Sequence, residues 1–174
     1  AGGTPVFCDI EDDFNISVTR IKSLITEKTK AIVPVHWSGR PCEMNEMIEI
    51  SEEFGIPIIE DACHSILAEY HGKKTGTFGI TGCFSFHPRK SVTTGEGGMV
   101  TTNDDDIAIK IDRLRNHGAS ISEEQRHHGP KPYILSAFEI VGYNYRMTNV
   151  QAAFLYDQLN DIDNILENLF NKFI

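Results

Sequence analysis

Residues Gly82–Thr102 read GCFSFHPRKSVTTGEGGMVTT. Cys83 to Phe86 has the composition of a strand, and Pro88 ends regular pairing because it has no N–H to give. Lys90 follows, then the turn Gly95-Glu96-Gly97-Gly98, and Met99 to Thr102 forms a second strand. The three glycines allow a close backbone approach that a Cβ would block. Lys90 has two readings here. It is either a solvated loop lysine or an amine fixed between a strand end and a tight turn, where it meets a ligand.

A second stretch lies upstream, Ile56-Pro57-Ile58-Ile59-Glu60-Asp61-Ala62-Cys63-His64. A buried-type strand ends there in two carboxylates and a histidine. An aspartate at a strand's carboxyl end, with a lysine in the next strand–loop unit, suits pyridoxal 5'-phosphate (PLP). The lysine forms a Schiff base, and the aspartate pairs with the pyridinium nitrogen so that the ring serves as an electron sink.

The flanking segments extend the pattern: PVHWSGRPCEM, IPIIEDACHS, GKKTGTFG, GCFSFHPRKSVTTGEGGMVTTND and GYNYRMTNVQAA. In this order they resemble the DegT/StrS-type (DegT/DnrJ/EryC/StrS) sugar aminotransferases, a branch of the fold-type I PLP enzymes. The resemblance covers most of the chain. It implies an α/β large domain, a mostly parallel mixed sheet flanked by helices in three layers. It also implies that residues 1–174 are the central part of that domain. The family's glycine-serine/threonine phosphate loop would precede Ala1, and its small carboxyl-terminal domain would follow Ile174.

Composition agrees with a globular protein. The 174 residues can bury a sizeable core, and 40% are hydrophobic. No run of eighteen apolar residues exists, so no membrane helix is expected. AGGTPVFCDI lacks the charged and apolar regions of a secretory signal. A net charge of −9 argues against a nucleic-acid partner. Cys8, Cys42, Cys63 and Cys83 include no C-x-x-C pair, which reads as free thiols in a cytoplasmic protein.

Along the chain, strand and helix patterns alternate. Pro5 to Ile10 reads as a short strand, and Ser17 as the cap of a helix carrying Val18, Ile21, Leu24 and Ile25. Lys30 to His36 reads as a buried-type strand in which Pro34 demands a bulge or an edge. Met44 to Phe54 reads as a helix with Met47, Ile48 and Ile50 inward, stopped by Gly55. Glu69 to Gly79 suggests a hairpin, with Thr77 and Phe78 packing beneath the Lys90 loop. Asn103 or Asp104 caps a helix carrying Ile107, Ile111 and Leu114, and Gly118 stops it. Thr148 and Gln151 form a capping box for a long last helix striped by Val150, Phe154, Ile162, Leu166 and Leu169. Such alternation points to βαβ units, whose ligands gather beyond the strands' carboxyl ends, where Asp61 lies.

His36 and Trp37 stand open between packing residues and substrate contacts at the mouth of a site. His127-His128-Gly129-Pro130 invites a metal reading, but adjacent histidines point different ways on most backbones. A loop is expected over Ala119 to Pro132, and no metal is expected.

The resemblance implies roles residue by residue. Lys90 would carry PLP and move a proton during transfer. Asp61 would hold the ring nitrogen, His64 would flank the ring oxygen, and Ser85 would bind phosphate. Asn144 would reach the phosphate of the neighbouring subunit, making a homodimer with a shared site. The expected reaction moves an amino group from an amino acid, glutamate in most of the family, to a nucleotide-linked keto-sugar. Two alternatives remain. One is a related sugar dehydratase, in which histidine replaces the lysine and against which Lys90 argues. The other is a truncated or regulatory relative that only folds and dimerises.

Overall fold

The computed structural model describes residues 2–121, 125, 128 and 136–172. Its sheet is built on β1 (Ile59–Asp61), which pairs in parallel with β4 (Thr81–Ser85); β4 in turn pairs antiparallel with β5 (Gly98–Thr101). Between β1 and β4 the chain makes a small hairpin, β2 (Glu69–Tyr70) and β3 (Lys73–Lys74). Both strands around Lys90 lie within one or two residues of the positions expected from sequence, and the hairpin occupies only the first six residues of the expected Glu69–Gly79.

Residues 32–35 lie parallel beside β1 without forming a continuous strand. Bridges at Ile32–Ile58 and Val35–Asp61 keep one register, so there is no bulge. The Ile32 N–H donates to Pro57 O at 2.9 Å and the His36 N–H to Asp61 O at 3.1 Å. Pro34 sits between them with no N–H to donate, and the ladder lapses there. Its carbonyl still accepts the Asp61 N–H at 2.8 Å.

Strand alternation and register put Ile32, Pro34, Ile58, Glu60, Gly82 and Phe84 on one face of the sheet. Against Ile32 and Ile58 pack α1 (Val18–Leu24), through Ile21, and α2 (Met44–Phe54), through Met44, Met47 and Ile50. Helix α2 ends as expected at Gly55, whose φ of 64° is the left-handed cap that glycine adopts without a Cβ penalty. Helix α3 (Asp105–Arg115) starts on Asp104, whose side chain accepts the Ile107 N–H at 3.0 Å. The Gly118 N–H closes its far end on Arg113 O at 2.8 Å.

Several expectations need correction. Pro5 to Ile10 is not a strand: only Ile10 bridges, to Ile16, and Val6 and Phe7 are exposed with no sheet edge to meet. Ser17 begins α1 without a side-chain cap, because its buried hydroxyl is spent on Glu11 and Thr19. Phe78 packs on the α1–α2 core and edge-on to Tyr70, and Thr77 is exposed, so neither lies beneath the Lys90 loop. The last helix is two, α4 (Asn149–Asn160) and α5 (Ile162–Asn171), bent at Asp161. Asn160 and Asp161 compete with the helix through their short polar side chains. The buried stripe is Leu155 and Ile162, flanked by Leu159, Ile165 and Leu166, and packs on Phe86 and Val92; Val150 and Phe154 face outward. The capping box of Thr148 and Gln151 is present as read from sequence.

Candidate active site

Beyond the carboxyl ends of β1 and β4 lies a cavity of about 530 Å³. Its walls include Ser38, Cys63, His64, Ser85, Arg89 and Lys90. The volume lies within the ~300–1,000 Å³ usual for small-ligand sites. The structure thus gathers three of the expected residues, His64, Ser85 and Lys90, in one wall.

Lys90 is held by a turn, its N–H donating to His87 O at 2.9 Å. Its side chain is half-buried, and among the described residues no carboxylate lies within ion-pair distance of its amine. Ser85 accepts the His87 N–H at 3.3 Å, which leaves its hydroxyl proton available. His64 is exposed, its Nδ1 accepts the Ser38 N–H at 3.3 Å, and Trp37 stands with its ring centroid 5.3 Å away.

Asp61 ends β1 immediately before the cavity wall. Its Oδ1 accepts the Cys63 N–H at 3.1 Å. The Cys63 thiol registers its neighbours: burial first, then the hydrogen bond and charge of Asp61, push it up to about 12, while Lys90 pulls the other way. Asp61 itself is not among the lining residues; it adjoins the wall through Cys63.

The glycine turn is pinned from α4. Gln151 Nε2 donates to Glu96 O at 2.9 Å and Thr94 O at 3.3 Å, and Gln158 Nε2 to Thr93 O at 2.8 Å. The two glutamines are seven residues apart and so share one helix face. The seven-residue spacing is the sequence signal for this pairing. Gly97 and Gly98 serve packing of chain on chain rather than approach of a ligand. A Cβ at Gly97 would sit 2.5 Å from Thr94 Oγ1, and one at Gly98 would sit 2.8 Å from Phe84 O.

Of the expected residues outside the lining, Asp61 and Trp37 adjoin it, and two lie elsewhere. His36 is not at the mouth of the cavity: it is fully buried, with both ring nitrogens engaged. Its Nδ1 accepts the Cys42 N–H at 3.1 Å, which leaves Nε2 to carry the proton and donate to Glu60 at 3.1 Å. Asn144 is exposed outside the cavity wall, bridged to Asn116 and accepting from Arg146 at 3.1 Å. His128 is exposed, while His127, Gly129 and Pro130 lie outside the described residues. Among the described residues no cluster of His, Cys, Asp and Glu is arranged to hold a metal, and no helix is long and apolar enough to cross a membrane.

Glu60 is the other of the two carboxylates that end the strand. It is fully buried and accepts four hydrogen bonds: from the N–H groups of Gly76, Phe78 and Gly79 at 2.6–2.7 Å, and from His36. Burial alone would raise its pKa, but these donors together outweigh it and hold the carboxyl below its ordinary value.

Residues 1–169 match the family model described as the DegT/DnrJ/EryC1/StrS aminotransferase family. A GDP-perosamine synthase of Caulobacter vibrioides is 44% identical over 163 residues, 93% of this chain and 41% of that protein. Among solved structures, Helicobacter pylori PseC, an aminotransferase of pseudoaminic acid biosynthesis, superposes with a TM-score of 0.83 at 33% identity. The match covers 92% of this chain and 41% of that one. An aminotransferase of Psychrobacter cryohalolentis gives 0.84 at 36%, covering 94% and 42%. The chain thus spans about two-fifths of the length of these relatives and shares with them the α/β fold of the fold-type I enzymes. With the order of its motifs, the architecture of its sheet and this match over nearly its whole length, the chain belongs to the DegT/DnrJ/EryC1/StrS aminotransferase family.

Proposed function

We propose that the chain is the cofactor-binding part of a PLP-dependent aminotransferase, the central portion of its large domain. Its substrates are an amino acid, glutamate by family resemblance, and a keto group on a nucleotide-linked sugar. The observation that carries this reading is the uncommitted Lys90 amine in the wall of a cavity that Asp61 adjoins through its bond to Cys63.

The residues fit PLP by their chemistry. Lys90 supplies a primary amine for the aldehyde, Asp61 a carboxylate for the ring nitrogen, and Ser85 a hydroxyl for the phosphate. PLP bound there would supply an electron sink for breaking a bond at the amino acid's α-carbon. The protein's part is positional and electrostatic. Asp61 holds a proton on its partner nitrogen by charge. Lys90 Nζ would be the base that holds and moves a proton during transfer. His64 lines the cavity, and the exposed Trp37 ring beside it is the candidate for contact with substrate.

Asn144 acts across a subunit boundary in a cytoplasmic homodimer. Its exposure outside the cavity and the stacked Tyr143–Tyr145 pair beside it, centroids 4.9 Å apart, support that part of the reading. Lysine rather than histidine at position 90 favours transfer over dehydration. The test is a half-reaction. PLP-loaded protein mixed with glutamate should lose its visible band and release 2-oxoglutarate, and a GDP- or dTDP-linked 4-keto-sugar should restore the band. A band that no amino acid changes would contradict the proposal.

A further inference from the structure

Glu60 lies on the sheet face opposite Asp61, yet its four bonds tie two segments that lead into the cavity wall to the end of β1, which carries Glu60 itself. Through His36 it holds residues 36–42, which carry Ser38. Through Gly76, Phe78 and Gly79 it holds the turn that feeds β4 and Ser85. Through its own backbone it fixes the end of β1, one residue before Asp61. Every one of the four partners is a donor, since the Cys42 N–H on Nδ1 leaves His36 only Nε2–H to offer. No neutral side chain of this shape can accept all four. A carboxylate is required.

We propose that Glu60 is a positioning residue, seating the Asp61 carboxylate against the cavity by locking these three segments in one register. This rests on the reading of the cavity given above, because Asp61 is the group that it positions. The amide of Glu60→Gln would turn an NH₂ toward one pair of donors. Either the turn at residues 76–79 or the bond to His36 would be pushed away, and β1 would shift with it.

Cys63 allows a test that needs no cofactor. Its N–H is bonded to Asp61, and Asp61 helps to keep its thiol protonated. If Asp61 moves, the Cys63 thiolate becomes more abundant, about tenfold for each unit by which its pKa falls. The measurement is the rate of iodoacetamide labelling at pH 8, resolved by peptide mass, in wild type and Glu60→Gln. The buried Cys42 reports general opening. The expected result is Cys63 labelling at least about tenfold faster, with Cys42 rising much less. A Cys63 rate that is unchanged, or that rises only in step with Cys42, would overturn the proposal and leave Glu60 a role in stability alone. If Glu60→Gln does not fold, His36→Phe keeps the ring volume and three of the four donors. It must then show the same selective rise in smaller measure, and an unchanged Cys63 in folded His36→Phe overturns the proposal equally. A wild type that fails to bind PLP would sink the functional reading without touching this comparison.

Discussion

Asp61 and Cys63 are coupled at the edge of the cavity: the carboxylate Oδ1 accepts the Cys63 N–H at 3.1 Å, and after burial it is the main influence that raises the neighbouring thiol's pKa. This fixes the carboxylate at the end of β1 and makes a cysteine its reporter. With burial acting first and Asp61 second, the thiol stays protonated through neutral pH. Its alkylation rate should climb about tenfold per pH unit and continue past pH 9, where an ordinary thiol levels off. In Asp61→Asn the curve should move to lower pH. A wild-type plateau near pH 9 would show that Asp61 does not press on this thiol.

The same substitution tests catalysis. Asn preserves shape but removes the charge, so transamination should fall by several orders of magnitude, on the scale of roughly 3 kcal/mol or more. Turnover near that of wild type in Asp61→Asn would assign the task to another group.

Two glycines separate crowding from backbone strain. A Cβ at Gly82 would stand 2.3 Å from Gly76 Cα and 2.5 Å from Gly76 O, so backbone must shift in Gly82→Ala. The expected loss is about 3 kcal/mol. At Gly95 nothing stands within 4 Å, but φ is +79°. Gly95→Ala should cost only about 1–2 kcal/mol. Urea denaturation measures both, and a larger loss at Gly95 than at Gly82 would contradict the packing described.

Much of this was legible in the sequence wherever local chemistry decides the outcome. Gly55 ending α2, Asp104 capping α3, Thr148 with Gln151, and the two strands around Lys90 each follow from a few adjacent residues. What could not be read depends on partners distant in sequence. For His36 the sequence leaves a core histidine and a substrate contact equally open, and only the fold, bringing Glu60 and Cys42 to its two nitrogens, decides for the core. By sequence Pro34 demands a bulge or an edge, but a missing donor can interrupt a ladder without shifting its register. The bend at Asp161 was hidden because the apolar spacing continues through it.

Asn144 is tested by mixed dimers of the protein that carries this chain. One subunit bears Lys90→Ala and the other Asn144→Ala. If Asn144 acts in trans, both lesions fall on one site and the second site stays intact, so about half of the activity per dimer survives. A mixed dimer no more active than the weaker parent would rule out sharing.

The central claim is that Lys90 is the residue that holds PLP. Purified protein is incubated with PLP, reduced with borohydride and digested, and the phosphopyridoxyl group is located by peptide mass. The account predicts one dominant adduct, on Lys90, which is lost in Lys90→Ala. A dominant adduct on Lys73 or Lys74 of the hairpin, or one that persists in Lys90→Ala, would contradict it.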